Sequence, residues 1–421
     1  MATKISFVSL GCDKNLIDSE IMLGLIDEKG YIITPNDSEA DVIIINSCGF
    51  ILDANQEAID KVLEMADYKA NGNCKALIVT GCMAQRYKDE IFESLPEVDA
   101  VVGTGDFENI GAVIDRLLNG EKKVQLVTDI NHLLNENNSY KRMVTTTGGF
   151  SYLKIAEGCD NRCTYCTIPS LRGKYRSRNI ESLVKEAEIL ADKGVRELIL
   201  IAQDTSLYGK DLYGEQKLHV LLQEISKIED IKWIRILYCY PENVYDELID
   251  EMASNPKVLH YLDMPVQHTN DRILKLMGRR STGDKIKDTV NRLRAKMPDM
   301  CIRTTLITGF PTETQEEFES VIDFMKEVPT EWDESRFVDG YPGKYVVLAR
   351  RHGDSWYLAA VNATKEPLKL KLDLPMFAGK SVSFYSDDKQ LQPQLRQYNV
   401  KSDGKFQLTI QPQGGVVLKN N

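Results

Sequence analysis

Short apolar runs alternate with stretches of helical periodicity over residues 1–327. Near the N-terminus, Lys4–Leu10, Asp41–Ile45, Ala76–Thr80 and Ala100–Val102 read as strands. Asp18–Lys29, Ala54–Tyr68, Ala84–Leu95 and Ile110–Leu118 read as helices, the first with Ile21, Met22, Leu25 and Ile26 on one face. A strand as uniformly apolar as Asp41–Ile45 has no wet side. The pattern therefore predicts a doubly wound parallel sheet with helices on both faces. Polar, turn-forming segments follow at Asn131–Asn138 and Thr145–Gly149.

A second alternating series begins at Phe150. Strands are expected at Ser151–Ala156, Glu197–Ala202, Trp233–Cys239, Tyr261–Pro265 and Arg303–Thr308. Helices are expected between them at Ile180–Lys193, Lys217–Lys227, Asn243–Ser254, Asp271–Met277 and Asp284–Lys296, with a last one at Thr314–Val328. This βα repeat predicts part of a (β/α) barrel. Beyond Val328 the helical period disappears. Short strands at Tyr345–Ala349, Trp356–Asn362, Leu368–Leu372, Ser381–Tyr385, Phe406–Ile410 and Gly415–Leu418 are divided by turns such as Gly353-Asp354 and Asp403-Gly404. The fold class is α/β with an added small all-β sandwich, in domains spanning 1–135, 136–327 and 328–421.

The chain has 421 residues, 43% hydrophobic and 27% charged, an ordinary globular mix. No apolar run approaches the ~18 residues of a membrane-spanning helix, and the N-terminus lacks the apolar core of an export signal. A cytoplasmic location without membrane partners is the expectation. The net charge of −11 argues against non-specific coating of nucleic acid. The basic stretch Arg172–Arg178 is either a local anion-binding patch or a solvated loop. The sequence specifies no oligomeric state.

Nine cysteines without an export signal do not suggest a disulfide framework. Cys159, Cys163 and Cys166 follow strand Ser151–Ala156 with C-x3-C-x2-C spacing. Three clustered thiolates suit three irons of a four-iron cluster, leaving one iron open to a small molecule. A zinc site would need a fourth protein ligand, and none is close in sequence. Cys12, Cys48 and Cys82 each lie just beyond the C-terminal end of an expected parallel strand. That sheet edge is where open α/β folds bind ligands, so these three form a second candidate metal site. Cys74, Cys239 and Cys301 have no such context and read as structural.

The words SLGCDKNLIDSE, INSCGF, VTGCMAQRY, EGCDNRCTYCTIPSLRGKYRSR, AQDTSLYG, YLDMPVQH and TLITGFPTET resemble the methylthiotransferases of the radical S-adenosylmethionine (SAM) superfamily. Ser9-Leu10-Gly11-Cys12 with Lys14-Asn15 is most similar to the RimO-type branch. The tRNA-modifying branch usually has Gln-Met-Asn in place of Lys-Asn. The resemblance covers about residues 1–327. It implies methylthiolation of the β-carbon of an aspartate in the small-subunit ribosomal protein at the decoding centre, with an electron donor as a further partner. It implies SAM and two 4Fe-4S clusters, one on Cys159, Cys163 and Cys166 and an auxiliary one on Cys12, Cys48 and Cys82. It also implies SAM contacts at Tyr165, Gln203, Asp204, Arg303, Ile307 and Gly309, and no catalytic side chain beyond the cluster ligands. His268 either meets substrate or caps a strand.

The remainder departs from that family, which continues with a sixth barrel strand and a basic TRAM domain. Instead VPTEWDESRFVDGYPGKYVVLARR, GDSWYLAAVN and PQGGVVL resemble the C-terminal β-domain of family 97 glycoside hydrolases. Asp333, Glu334 and Asp339 do not make a glycosidase pair without that family's barrel. The sequence thus reads as a chimera joined near Val328, with strand five expected to have an open edge, and the replaced C-terminus is where impairment of the enzyme would arise. The alternatives are a tRNA adenosine methylthiotransferase, an inactive iron–sulfur protein that cleaves SAM without transferring sulfur, and an inactive fusion with a carbohydrate-associated β-domain.

Overall fold

A computed structural model describes residues 3–131, 136–146, 149–327, 334–341, 343–389 and 393–420. The chain forms two units, Met1–Ile322 and Asp323–Asn421. The junction near Val328, Asp333 and much of the connection Asn131–Asn138 lie outside the described residues.

The first unit begins with β1 (Lys4–Ser9), β2 (Ile32–Ile33), β3 (Val42–Ser47), β4 (Ala76–Gly81), β5 (Ala100–Val102) and β6 (Val124–Leu126). They form one parallel sheet in the order β2-β1-β3-β4-β5-β6. Its helices are α1 (Asp13–Glu28), α2 (Leu52–Asn71), α3 (Cys82–Tyr87), α4 (Asp89–Ser94) and α5 (Ile110–Leu118). Every position of β3 and β4 is buried. Side-chain alternation splits them between two cores: Val42, Ile44 and Ile78 meet residues of α1 and α5, while Ile43, Ile45, Leu77 and Val79 meet α2 and α3. This is the doubly wound arrangement expected from the uniformly apolar strands.

Two helix boundaries differ from the periodicity. The α1 helix starts at Asp13, because Cys12 is extended at its N-cap. Lys14, Asn15, Asp18, Ser19 and Glu20 are all buried, so the first half of α1 hides polar groups and shows no amphipathic pattern. The helix expected over Ala84–Leu95 is split between α3 and α4 at Lys88, whose φ is +41°. The apolar spacing runs through this break because Ile91 returns to the core.

The second sheet is built from β7 (Phe150–Lys154), followed by the short ribbon of β8 (Ala156–Glu157) and β9 (Arg176–Ser177). It continues with β10 (Glu197–Ile201), β11 (Trp233–Ile236), β12 (Val258–Asp263) and β13 (Cys301–Arg303). The order β13-β12-β11-β10-β7 is parallel throughout. Helices α6 (Ile168–Arg172), α7 (Ile180–Asp192), α8 (Lys210–Tyr213), α9 (Leu218–Ser226), α10 (Asp246–Ser254), α11 (Asp271–Leu276), α12 (Gly283–Lys296) and α13 (Gln315–Glu327) connect or follow these strands. The fifth strand is shorter than expected and starts two residues earlier; beyond it only Leu306 bridges, to Gln267. Among the described residues β13 ends the sheet, with Cys301 and Arg303 exposed. The barrel is therefore open on that side.

Arg142 lies between the two sheets in sequence and is 2% exposed. It donates to Glu20 of α1 (2.6 Å), Glu186 of α7 (2.9 Å), the Ser151 hydroxyl (2.8 Å) and the Tyr152 carbonyl (2.7 Å). One guanidinium thus joins the first sheet's leading helix to the second sheet's first strand.

The second unit is all β: β14 (Glu334–Tyr341), β15 (Tyr345–His352), β16 (Ser355–Asn362), β17 (Leu368–Asp373), β18 (Ser381–Asp387), β19 (Pro393–Asn399), β20 (Lys405–Ile410) and β21 (Gly415–Asn420). A sheet ordered β14-β15-β16-β21-β18-β19 and the pair β17-β20 enclose a core that includes Val347, Leu358, Leu370, Phe377, Phe384, Leu408 and Leu418. Within this unit the two strands missing from the sequence reading, β14 and β19, are the edges of the larger sheet. An edge strand needs fewer inward apolar positions, so alternation marks it weakly. No helix among the described residues is long and apolar enough to cross a membrane.

Arg142→Met leaves Glu20 and Glu186 buried with less compensation. The expected loss is ~3–5 kcal/mol of unfolding free energy, measured by denaturant titration of the variant against the unsubstituted chain.

Candidate functional site: two cysteine triads

Strands β1, β3 and β4 are neighbours in one parallel sheet, so the residues after them emerge at the same edge. Cys12 caps α1, Cys48 follows β3, and Cys82 opens α3 directly after β4. Gly11 has φ +92°, and a Cβ there would stand 2.9 Å from the Cys48 Cβ, so the first two cysteine loops touch. Asn15, fully buried, fastens them: its Nδ2 donates to the carbonyls of Leu10 (3.1 Å) and Ser47 (3.0 Å). Its Oδ1 lies 3.6 Å from the Cys82 sulfur. Cys82 is buried, Cys48 half-buried and Cys12 exposed, so the triad opens to solvent at Cys12. Burial pushes the Cys82 thiol up, against the pull of Arg172.

The second triad hangs on the loop after β8. Gly158 has φ +79°, and a Cβ there would be 2.0 Å from the Lys174 carbonyl oxygen, so only glycine fits. The loop is tied by Cys159 N to the Gly173 carbonyl (3.0 Å), Thr164 N to the Met277 carbonyl (3.0 Å) and Cys166 N to the Cys163 carbonyl (3.0 Å). The Cys163 sulfur is 3.8 Å from the Tyr240 hydroxyl, and Arg279 stacks 4.0 Å over the Tyr240 ring. Burial pushes the Cys159 thiol up to about 11 and raises Cys166 as well.

No three His, Cys, Asp or Glu side chains among the described residues converge as a single metal ion would require. The thiolates of a four-iron cluster bind separate irons and stand further apart. The donor set fits such a cluster, being all thiolate. Buried atoms without hydrogen-bond partners also collect here: Thr167 Oγ1, next to Cys166, with Gln203 Oε1 and Arg279 Nε. They suit a polar ligand beside the loop.

The expected SAM contacts are spread unevenly. Tyr165 is half-buried between Cys163 and Cys166, its phenol raised by burial and by Cys163. Gln203 donates to Glu157 (2.8 Å), two residues before Cys159. Asp204 faces inward at 0% exposure, accepting from the Ser206 hydroxyl and from Asn243 (2.9 Å). Arg303 is exposed and 3.3 Å from Asp263. Ile307 is half-buried, with its N–H on the Gln267 carbonyl (2.8 Å), and Gly309 is exposed with φ +74°. Tyr165 and Gln203 thus adjoin the cysteine loop, while Arg303, Ile307 and Gly309 lie at and beyond β13. His268 is buried, 3.2 Å from Glu313, and accepts from Asn270 N (2.9 Å), so its ring holds a turn together.

The sequence reading gave no site role to Asn15, Glu157, Tyr240 or Arg279, and it misjudged Arg172. The stretch Arg172–Arg178 is not simply a solvated loop or an anion patch. Arg172 is 3% exposed and pairs with Asp18 (2.6 Å) and Glu157 (3.3 Å), while Arg178 pairs with Glu186 (2.6 Å). Lys154 joins the same group through Asp18 (2.6 Å) and Glu157 (2.7 Å). Burial alone would discharge Lys154, yet Asp18 and Glu157 hold its ammonium above the ordinary lysine range. Of the remaining cysteines, Cys74 and Cys239 are buried and Cys301 is exposed.

Burial pushes the Asp204 carboxyl up to about 6. Its folded value lies above the unfolded one, so its contribution to stability is present at low pH and is lost as pH rises through 6. Asp204→Asn removes that dependence. The stability of the unsubstituted chain relative to the variant should fall by ~2–3 kcal/mol between pH 4 and pH 7 in denaturant titrations.

Three sequence profiles match. Residues 153–325 match the radical SAM superfamily, residues 4–103 the uncharacterized protein family UPF0004, and residues 331–419 the glycosyl-hydrolase 97 C-terminal, oligomerisation domain. The ribosomal protein uS12 methylthiotransferase RimO of Clostridium botulinum is 54% identical over 325 residues, covering 77% of this chain and 72% of that protein. The RimO of Acetivibrio thermocellus is 53% identical over 335 residues, covering 77% and 73%. A solved structure of TsrM, a radical SAM methyltransferase from Kitasatospora setae, superposes with a TM-score of 0.56 at 13% identity, covering 79% of this chain and 74% of that one. At that identity the likeness shows the fold alone. The radical SAM match implies a 4Fe-4S cluster and SAM. With a glycosyl-hydrolase 97 C-terminal domain at its end, this chain belongs to the RimO family of radical SAM methylthiotransferases.

Proposed function

We propose that the chain attaches a methylthio group to the β-carbon of an aspartate in ribosomal protein uS12, the small-subunit protein at the decoding centre. The observation that carries this reading is the presence of both sets of three cysteines, Cys12, Cys48 and Cys82 after neighbouring parallel strands and Cys159, Cys163 and Cys166 on one loop, in a chain 54% identical to a RimO. In this reading the domains are residues 1–135 with the auxiliary site, 136–327 with the SAM site, and 328–421 as an accessory β-domain.

Cys159, Cys163 and Cys166 hold one 4Fe-4S cluster in this reading, and Cys12, Cys48 and Cys82 a second. When bound, these clusters and SAM supply one-electron chemistry at an unactivated carbon and the sulfur that is inserted. The residues position and shield. Gly158 lets the cysteine loop fold back onto Lys174, and Tyr240 under Arg279 covers Cys163. Tyr165 and Gln203 would hold SAM beside that loop. Arg303, Ile307 and Gly309, at and beyond β13, would hold it on the other side, and Asp204, which accepts from Asn243, would support from inside. The exposure of Cys12 leaves the auxiliary site open to a protein substrate. An electron donor and a cytoplasmic location complete the proposal.

Anaerobic reconstitution should give about eight irons per chain, falling to about four when Cys159, Cys163 and Cys166 are all replaced by Ala. The unsubstituted chain, given SAM and a reductant, should release 5′-deoxyadenosine and place a methylthio group on a uS12 peptide by mass spectrometry; the triple variant should do neither. Modification of tRNA instead of the peptide would overturn the substrate. Eight irons without 5′-deoxyadenosine would place the defect at the open edge of β13.

A further inference from the structure

Arg172 closes the short helix that begins after Cys166, yet it reaches the other triad. Its Nη2 donates to Asn15 Oδ1 and lies 3.7 Å from the Cys82 sulfur. Its Nη1 is held by Asp18 (2.6 Å) and Glu157 (3.3 Å). We infer that Arg172 is a positioning residue of the Cys12–Cys48–Cys82 site: its guanidinium donates to the Cys82 sulfur and raises the reduction potential of a four-iron cluster held there. The inference rests on the two-cluster reading above.

The physical argument has three parts. A guanidinium is charged at any working pH and carries its donors in a rigid fork, so the carboxylates on Nη1 fix the direction in which Nη2 points. The contact itself is buried, with Arg172 3% and Cys82 5% exposed, so between these two groups the charge acts through protein rather than water. Finally, hydrogen bonds and positive charge at a cluster's sulfurs favour its more negative, reduced form, which raises the potential. Lys14, the other nearby cation, is turned to Asp13 (3.3 Å) and the Tyr238 ring (3.2 Å to its centroid). Arg172 is the cation that contacts a cysteine sulfur of this triad among the described residues.

The test uses the full chain with Cys159, Cys163 and Cys166 replaced by Ala, reconstituted anaerobically so that only the auxiliary cluster remains. Its midpoint potential is read by redox titration with electron paramagnetic resonance. Arg172→Met should move the midpoint to a more negative value, with Arg172→Lys between the two. Arg142→Met removes an equally buried arginine that touches no cysteine and should leave the midpoint in place. If Arg172→Met fails to assemble a cluster, Arg172→Lys carries the measurement. An unchanged midpoint in the Arg172 variants, or an equal shift in Arg142→Met, overturns the inference alone. About four irons in the chain with all cysteines present would overturn the inference together with the two-cluster reading.

Discussion

The first unit depends on four buried charges: Asp18, Lys154, Glu157 and Arg172. Taking ions out of water costs several kcal/mol each, and this is offset only when each meets an opposite charge with good geometry. Here both cations contact both carboxylates. Glu157 is held far below the usual carboxylate range by Lys154 and Arg172 despite its burial. Such a cluster tolerates little displacement. It therefore determines how α1, which starts directly after Cys12, lies against β7 and β8, which lead to Cys159.

Each triad follows from backbone geometry more than from cysteine itself. The first exists because three neighbouring parallel strands end at one edge, and a single asparagine ties two of their loops. The second exists because a glycine allows a loop to approach a carbonyl that no side chain could face. Burial raises the Cys82 thiol in the first triad and the Cys159 and Cys166 thiols in the second.

The two units solve the sheet-edge problem differently. The second unit has its own apolar core, and its outermost strands are its least buried ones. The first unit's barrel stops at β13, a three-residue strand with an open outer side among the described residues. An open edge is a site where function and folding are both vulnerable.

The parallel sheets, the two triads and the all-β tail were legible in the sequence because each leaves a local mark. Buried strands are uniformly apolar, the six cysteines keep a fixed spacing or follow strand ends, and β-strands alternate. The start of α1, the break at Lys88 and the edge strands β14 and β19 were not legible. Their apolar pattern is either replaced by buried charge, unbroken across the kink, or absent. Arg172 looked like one more charge in a basic loop, because its partners Asp18 and Asn15 are far away in sequence. By itself the sequence determined which residues could hold iron and which fold would carry them. Only the tertiary structure decided which buried charges stand between the two triads, since a charge is kept in a core by partners that neither periodicity nor spacing can reveal.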